Sequence, residues 1–249
     1  FSCSHREQSS VHKITKFINE KYAGPLFKKE IDAINLVIKD KKKPITCIIG
    51  GSKVSSKIGV ISNLIQKVDN IVIVGAMANN FLMFKGLKVG RSLVEKDSHS
   101  TIKKIYNLSE ENNCKIIIPE DCSVSQTMSG SPFIKEANQI SEKEIILDIG
   151  PKTIKKILNL IDNSKPVLWN GPAGYFENKN FALGTTSIAN KISLNTVKNS
   201  LLSIVGGGDT ISAIKNINMS LNFTHLSTAG GAFLEFLEGK DLPGLKVLK

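Results

Sequence analysis

The sequence predicts an α/β protein with a doubly wound, Rossmann-like parallel sheet flanked by helices on both faces. Three observations predict this fold class: short β-branched apolar runs alternate with stretches of helical periodicity, the runs are apolar along most of their length, and nearly every run ends in glycine. Continuous apolar character is typical of strands buried on both faces. Sheets of this kind bind ligands at the carboxyl ends of their strands.

Two helices are predicted ahead of the sheet, at 11–22 and 26–39, where apolar residues recur at helical spacing. The charged run 39–44 then forms a hinge, and Pro44 excludes a continuing helix there. Residues 123–143 are rich in turn residues and are predicted to leave the core. Strands are predicted at 45–49, 70–74, 115–118, 145–149, 166–169, 201–205 and 224–227, with helices near 54–66, 77–84, 100–111, 152–161, 181–193, 209–216 and 230–238.

The composition is that of an ordinary globular protein, with 41% hydrophobic and 22% charged residues. A formal net charge of +11 would suit nucleic acid, an acidic membrane surface or small anionic ligands. Only Arg6 and Arg91 are arginines, so 31 of the 33 basic residues are lysines, spread along the whole chain. Arginine supplies the fork that reads guanine, so we expect no nucleic-acid partner and attribute the lysines to a coding bias toward A and T.

Other residue types narrow the class of protein further. The four cysteines show no CxxC spacing and are predicted to be reduced and mostly buried, which suits a cytoplasmic protein. The four histidines are too scattered to predict a metal site. No apolar run is long enough to span a bilayer, so no membrane partner is expected. The chain begins at Phe1 and its first residues resemble a domain interior, so we expect a truncation or a further upstream part.

Six glycine-containing segments fall where predicted strands pass into loops. Each could be only a tight turn, but six at one sheet edge predict a ligand site, because glycine permits positive φ and a close approach of the backbone. In GGGDT at 206–210, amides at the start of a helix suit a phosphate, and Asp209 could hold Mg²⁺, cap the helix, or do both. In GGSKVSSK at 50–57, Lys53 and Lys57 could reach one polyphosphate or form a solvated face.

Neither of two familiar nucleotide fingerprints is present. The chain has no G-x-x-x-x-G-K-[ST], and no G-x-G-x-x-G follows the first predicted strand. The segments GGSKVSSKI, LDIGPKT, WNGPAGYFE, GGGDT and STAGGAFLEFLEGKDLPG occur in this order, however. Over residues 24–249 they resemble the phosphoglycerate kinase family, and FSCSHREQSS resembles the last stretch of that family's N-terminal domain.

The resemblance implies a division of the chain. Residues 1–22 would be a remnant of the triose-binding N-terminal domain, 23–43 the interdomain helix and hinge, 44–238 the nucleotide-binding domain, and 239–249 a tail returning toward the N-terminal domain. It also implies reversible phosphoryl transfer from 1,3-bisphosphoglycerate to MgADP, giving ATP and 3-phosphoglycerate in glycolysis. The protein would be a cytoplasmic monomer, with ADP or ATP, phosphoglycerate and Mg²⁺ as its ligands.

The same resemblance implies a role for individual residues. Lys57 would hold the α-phosphate side of the nucleotide, and Lys53 would follow the transferring phosphoryl group. Gly208 and Gly231 would offer backbone amides to that group, and Arg6 would contact the triose. The remaining nucleotide contacts would come from residues at the strand ends: Gly51, Gly75, Ala76, Leu147, Asn170, Pro172, Gly174, Glu177, Gly207, Asp209, which would also bind the metal, and Thr210.

Four positions depart from the family pattern. Val74 and Ala76 stand where many members have glycine, Ala229 replaces the first glycine of a TGGG element, and Ile146 stands where glycine is common in the adenine pocket. An added methyl group at such sites can narrow the space for the base.

One further expectation concerns activity. Most of the arginine-rich triose half is not in this sequence, and charged groups of that kind are worth about 10²–10³ in rate each, so the 249 residues should bind nucleotide without measurable turnover. Two alternative functions stay open, one resting on the same motifs and one on the net charge. The first is a non-catalytic nucleotide-binding fragment or scaffold. The other is a nucleic-acid binder, whose affinity would fall steeply with salt.

Overall fold

The main sheet of the computed structural model, which describes residues 1–38, 42–217 and 220–248, has six parallel strands. The first strands are added one after another on one side of a central strand. The chain then crosses back and adds the remaining strands on the other side, so the sheet is doubly wound as predicted. In spatial order the strands are β3 (Lys115–Ile117), β2 (Asn70–Ile73), β1 (Thr46–Ile49), β7 (Pro166–Asn170), β8 (Leu202–Gly206) and β9 (His225–Ser227).

Helices cover both faces of this sheet. Most of them lie between consecutive strands of the chain, because parallel strands need crossover connections. Their bounds are α1 (Pro25–Ile38), α2 (Ile58–Ile65), α3 (Met77–Phe84), α4 (His99–Glu111), α5 (Pro151–Asn163), α6 (Leu183–Val197), α7 (Gly208–Asn216), α8 (Gly231–Leu237) and α9 (Pro243–Lys246).

The central strands contribute side chains to two separate cores, because successive side chains of a strand point to opposite faces of the sheet. On β7, Leu168 joins the core that holds Phe81 and Phe233, whereas Trp169 joins the core that holds Ile157 and Ile188. All of these side chains are buried. Their burial on both faces explains why the strands are apolar throughout, which was the feature that predicted a parallel sheet.

A second, smaller sheet was not predicted. It consists of three antiparallel strands in the order β5 (Phe133–Glu136), β4 (Asp121–Ser125) and β6 (Ile145–Ile149), with its own core around Val89, Val124 and Ile140. Residues 145–149 do form a strand, but assigning it to the parallel sheet was wrong. Residues 123–143 leave the main sheet as predicted, yet they contribute to both β4 and β5 rather than to a structureless loop.

The first predicted helix was also wrong. Within 11–22 the structure has only a short 3₁₀ helix, Lys13–Lys16, and Phe17 and Tyr22 are exposed, so the apolar residues there lack the core face that an amphipathic helix needs. The second predicted helix is α1, apart from residue 39. That residue, like residues 40 and 41 of the predicted hinge and residue 249 of the predicted tail, lies outside the described residues.

Candidate functional site

A cavity of about 480 Å³ opens at the carboxyl ends of the central strands, where the winding of the sheet reverses. This volume is in the range of small-molecule sites, and the location is the one expected for ligands of doubly wound sheets. Eight of the residues predicted to contact nucleotide line it: Gly51, Gly75, Ala76, Leu147, Pro172, Gly174, Glu177 and Asp209.

The floor of the cavity is made of backbone segments in close contact. The Gly50 amide donates to the Asn170 carbonyl at 2.7 Å, and the Gly75 amide donates to the Ala173 carbonyl at 3.0 Å. Gly171 has φ +100, and a Cβ placed on it would lie 2.4 Å from the Gly50 carbonyl oxygen. A side chain at Gly171 is therefore excluded both by conformation and by space, which explains the glycines at these strand ends.

Lys57 is fixed beside the cavity by a chain of hydrogen bonds. Its Nζ donates to Asn170 Oδ1 at 2.6 Å, and Asn170 Nδ2 donates to the Gly206 carbonyl at 2.8 Å. Thr210 Oγ1 donates to the same carbonyl at 2.9 Å and accepts from the Gly171 amide at 2.7 Å. These contacts join the start of α2 to the ends of β7 and β8, so three of the predicted residues, Lys57, Asn170 and Thr210, belong to one network.

The charge of Lys57 is held in a partly buried position. Burial lowers the pKa of Lys57, and the nearby carboxylates of Asp209 and Glu238 oppose that shift. A cation with few water neighbours gains more from an arriving anion than a fully solvated one, because the local dielectric is low. The site is thus electrostatically prepared for a negatively charged ligand.

Asp209 lies in the first turn of α7 and lines the cavity, and Gly207, the residue before that helix, has φ +101. Among the described residues there is no group of three or more His, Cys, Asp or Glu side chains placed to hold a metal. A single carboxylate beside a phosphate site nevertheless suits Mg²⁺, which keeps several waters and takes its other ligands from substrate phosphates. The side chains present therefore fit a metal that arrives with a nucleotide.

The small antiparallel sheet forms the opposite wall of the cavity. Leu147 of β6 accepts a hydrogen bond through its carbonyl from the Tyr175 amide at 2.6 Å, which ties this wall to the loop after β7. Several residues that the sequence analysis missed line this side: Leu82, Arg91, Leu93 and Met128. They come from a helix and loops with no glycine motif, so no local signal pointed to them.

Asp148 is a buried carboxylate in the same wall. Its Oδ2 accepts from the Gly184 amide and its Oδ1 from its neighbour's amide, Ile149, both at 2.8 Å. Burial raises the pKa of Asp148 to about 7, although hydrogen bonds from the Gly184, Ile149 and Leu183 amides lower it.

Eight predicted site residues are not among those that line the cavity. Lys57, Asn170 and Thr210 belong to the network beside it, and Gly207 precedes α7. The other four lie elsewhere. Lys53 is exposed in the loop between β1 and α2, and Gly208 is exposed at the start of α7. Gly231 begins α8, and a Cβ on it would lie 3.3 Å from His5 Nε2, whereas Arg6 is exposed. The roles predicted for all of the site residues, those that line the cavity included, stay predictions.

The departures from the family pattern have different surroundings. Val74 and Ala229 are buried in the two cores of the main sheet and are absent from the cavity lining. Ala76 and Ile146 do line the cavity. Only the latter two can directly narrow the space for a ligand.

Comparison with known proteins identifies the family. The family model described as phosphoglycerate kinase matches residues 1–240. A phosphoglycerate kinase of Wolbachia sp. subsp. Brugia malayi is 40% identical over 251 residues, and that of Zymomonas mobilis is 38% identical over 255 residues. Each alignment covers 100% of this chain and 63% of the relative, so the chain spans a little under two thirds of the length of these proteins.

Solved structures agree with the sequence relatives. The structure of phosphoglycerate kinase from Coxiella burnetii matches with a TM-score of 0.94 and 36% identity, over 99% of this chain and 63% of that one. The enzyme from Pyrococcus horikoshii matches with a TM-score of 0.82 and 27% identity, over 99% and 62%. A match along nearly all of the sequence and the same fold at this level of identity make the chain a member of the phosphoglycerate kinase family.

Proposed function

We propose that this chain supplies the nucleotide side of a phosphoglycerate kinase, which transfers a phosphoryl group between 1,3-bisphosphoglycerate and MgADP. One observation carries the proposal: an apolar-walled cavity and a fixed lysine meet at the carboxyl ends of β1, β7 and β8. The apolar wall suits a purine base, and the lysine suits the phosphates attached to it.

The nucleotide would lie with its base against the small sheet and its phosphates toward α7. Glu177 lines the cavity and would accept hydrogen bonds from the ribose hydroxyls. Lys57 would donate to the phosphates, with Lys53 and the exposed amide of Gly208 following the transferring group. Bound Mg²⁺ would neutralise charge on the phosphate oxygens, and Asp209, which lines the cavity in the first turn of α7, would hold it.

The chemistry asks little of a proton-transferring side chain. The acceptor would be a carboxylate in one direction and the ADP phosphate in the other, and both are already ionised at neutral pH. Positioning and electrostatic stabilisation of the equatorial oxygens then supply most of the rate enhancement. No general base is therefore required among the residues around this cavity.

Nucleotide titration tests the proposal. We expect ADP and ATP with Mg²⁺ to bind the chain, and the Lys57→Gln variant to bind both about 10- to 100-fold more weakly, since hydrogen bonds to charged groups contribute about 1.5–3 kcal/mol. Lys103→Gln, at an exposed position on α4, is the matched control and should leave affinity unchanged. Equal affinity of the Lys57 and Lys103 variants would contradict the assignment.

Turnover is a separate measurement. The 249 residues alone are expected to bind nucleotide without measurable phosphoryl transfer in a coupled assay with 3-phosphoglycerate and ATP. Robust turnover would refute the argument that triose-binding cations beyond this sequence are required.

A monomeric state and a cytoplasmic location are also part of the proposal. Among the described residues no helix is long and apolar enough to cross a bilayer.

A further inference from the structure

The loop between β1 and α2 is held by a carboxylate from a distant part of the chain. Glu95 Oε2 accepts from the Ser55 amide at 2.9 Å, and Glu95 Oε1 accepts from the Ser55 hydroxyl. The loop runs from Gly51, which lines the cavity, to Lys57 at the start of α2. Glu95 itself is not among the cavity-lining residues, so it grips the loop from outside the cavity.

Glu95 is in turn anchored to the helix that begins at the cavity. Buried Asn80 of α3 donates through Nδ2 to the Glu95 carbonyl at 2.7 Å, and its Oδ1 accepts from the Glu95 amide at 3.1 Å. Both backbone groups of Glu95 are therefore fixed by one buried side chain. The residues just before α3, Gly75 and Ala76, line the cavity. The hydrogen bonds of Glu95 to Ser55 and Asn80 therefore connect the loop to the helix that begins at the cavity wall.

The charge of this contact is also defined. Hydrogen bonds from the Ser55 side chain and amide lower the pKa of Glu95, and the charge of Lys53 adds to the effect. The group is thus an ionised carboxylate at neutral pH, and it faces the loop that carries both predicted phosphate-binding lysines. Hydrogen bonds to an ionised acceptor are stronger than those between neutral groups.

We propose that Glu95 is a positioning residue for the loop from Gly51 to Lys57. It would act through Ser55 to hold Lys53 and Lys57 in the conformation that receives nucleotide phosphates. The inference rests on the proposed function of the cavity. A loop ordered before binding does not have to lose its conformational freedom on binding, so more of the contact energy appears as affinity. Glu95 would therefore strengthen the binding of phosphates without touching them.

Comparing ligands with and without phosphates separates this role from a general structural one. The experiment measures dissociation constants of ADP with Mg²⁺ and of adenosine for the parent chain and for Glu95→Ala. We expect ADP affinity to fall about 10-fold, the loss of roughly one charged hydrogen bond, while adenosine affinity stays within about twofold. Glu95→Gln keeps an acceptor for the Ser55 amide and should recover part of the loss.

Glu142→Ala is the control because it removes an exposed carboxylate that is paired with Lys88 and absent from the cavity lining. It should leave both dissociation constants unchanged. Amide exchange supplies the second measurement: residues 54–57 should exchange faster in Glu95→Ala than in the parent, while the midpoint of thermal unfolding falls by only about 2–4 °C, the shift expected for the loss of about one hydrogen bond.

Four results would overturn the inference. ADP affinity equal in the parent and Glu95→Ala would remove the positioning role alone, as would an equal loss for adenosine and ADP. Tighter ADP binding by Glu95→Ala would mean that the carboxylate competes with phosphate instead of preparing its site. Failure of the parent chain to bind ADP would overturn the proposed function first, and the positioning role with it.

Discussion

The buried carboxyl group of Asp148 should make folding stability depend on pH in an unusual direction. Burial raises the pKa of Asp148 from 3.8 to about 7. Between those values the unfolded chain ionises at this residue while the folded protein keeps the proton, so the unfolded state binds fewer protons. The stabilising contribution of Asp148 is therefore complete below about pH 4 and is lost as pH rises through about 7. A shift of about three units corresponds to about 4 kcal/mol.

Replacing Asp148 by Asn removes this titration with little change of shape. The amide leaves a hydrogen-bond deficit at the Gly184 or Ile149 amide, a cost that is roughly independent of pH. The difference in unfolding free energy between parent and Asp148→Asn should therefore shift by up to about 4 kcal/mol in favour of the variant between pH 4 and pH 8.

Urea unfolding at a series of pH values measures this difference, and the single tryptophan, Trp169, reports the transition because it is buried. Asp162→Asn is the control of opposite sign. Hydrogen bonds from Lys191 and Asn195 lower the pKa of Asp162, so its contribution is gained as pH rises from the folded pKa to the unfolded value of 3.8 and is complete above it. Parallel stability curves for the parent and Asp148→Asn between pH 4 and pH 8 would refute the reasoning.

Three other outcomes are expected. Gly171→Ala should destabilise the fold by more than about 3 kcal/mol, because its Cβ would overlap the Gly50 carbonyl, whereas Gly86→Ala, with φ +81 and open space, should cost about 1 kcal/mol. A difference in urea midpoint near zero would contradict the overlap. Thr210→Val should cost about 1–3 kcal/mol in the same assay by leaving a buried amide without an acceptor, and Thr210→Ser should restore most of it. A thiol reagent at pH 8 should label one cysteine per folded chain, the exposed Cys3, and rapid labelling of a second thiol would show that the buried cysteines are accessible.

The sequence predicted the parts of the fold that are determined by repeated local patterns. The four central strands of the main sheet are apolar on both faces, and the glycines that end them mark the edge at which the cavity opens. The small sheet escaped prediction because β5 has largely exposed residues and no alternation that faces a core. Strand β6 was assigned to the wrong sheet because an apolar run carries no information about its hydrogen-bonding partners.

The same distinction applies to the cavity. Glycine and lysine motifs at the strand ends stand out locally and carry the family resemblance, which in turn implied the individual contacts. Lys57 and Asn170, two of those residues, meet although 113 positions separate them. Arg91, Leu93 and Met128 were missed because they reach the cavity only through the way the small sheet folds back. Glu95 was missed for a related reason: its contact with Ser55 spans 40 positions and is signalled by no motif.

The cavity lies between two sheets that each have a core of their own, and this has a consequence for how such a site can change. The wall near Ile146 and Met128 is supported by the small sheet and its own core, whereas Lys57 and Asp209 stand on the main sheet and its helices. Substitutions that reshape the space for the base need not disturb the charged groups on the other side. Selectivity for the base and chemistry at the phosphates can therefore diverge separately among relatives.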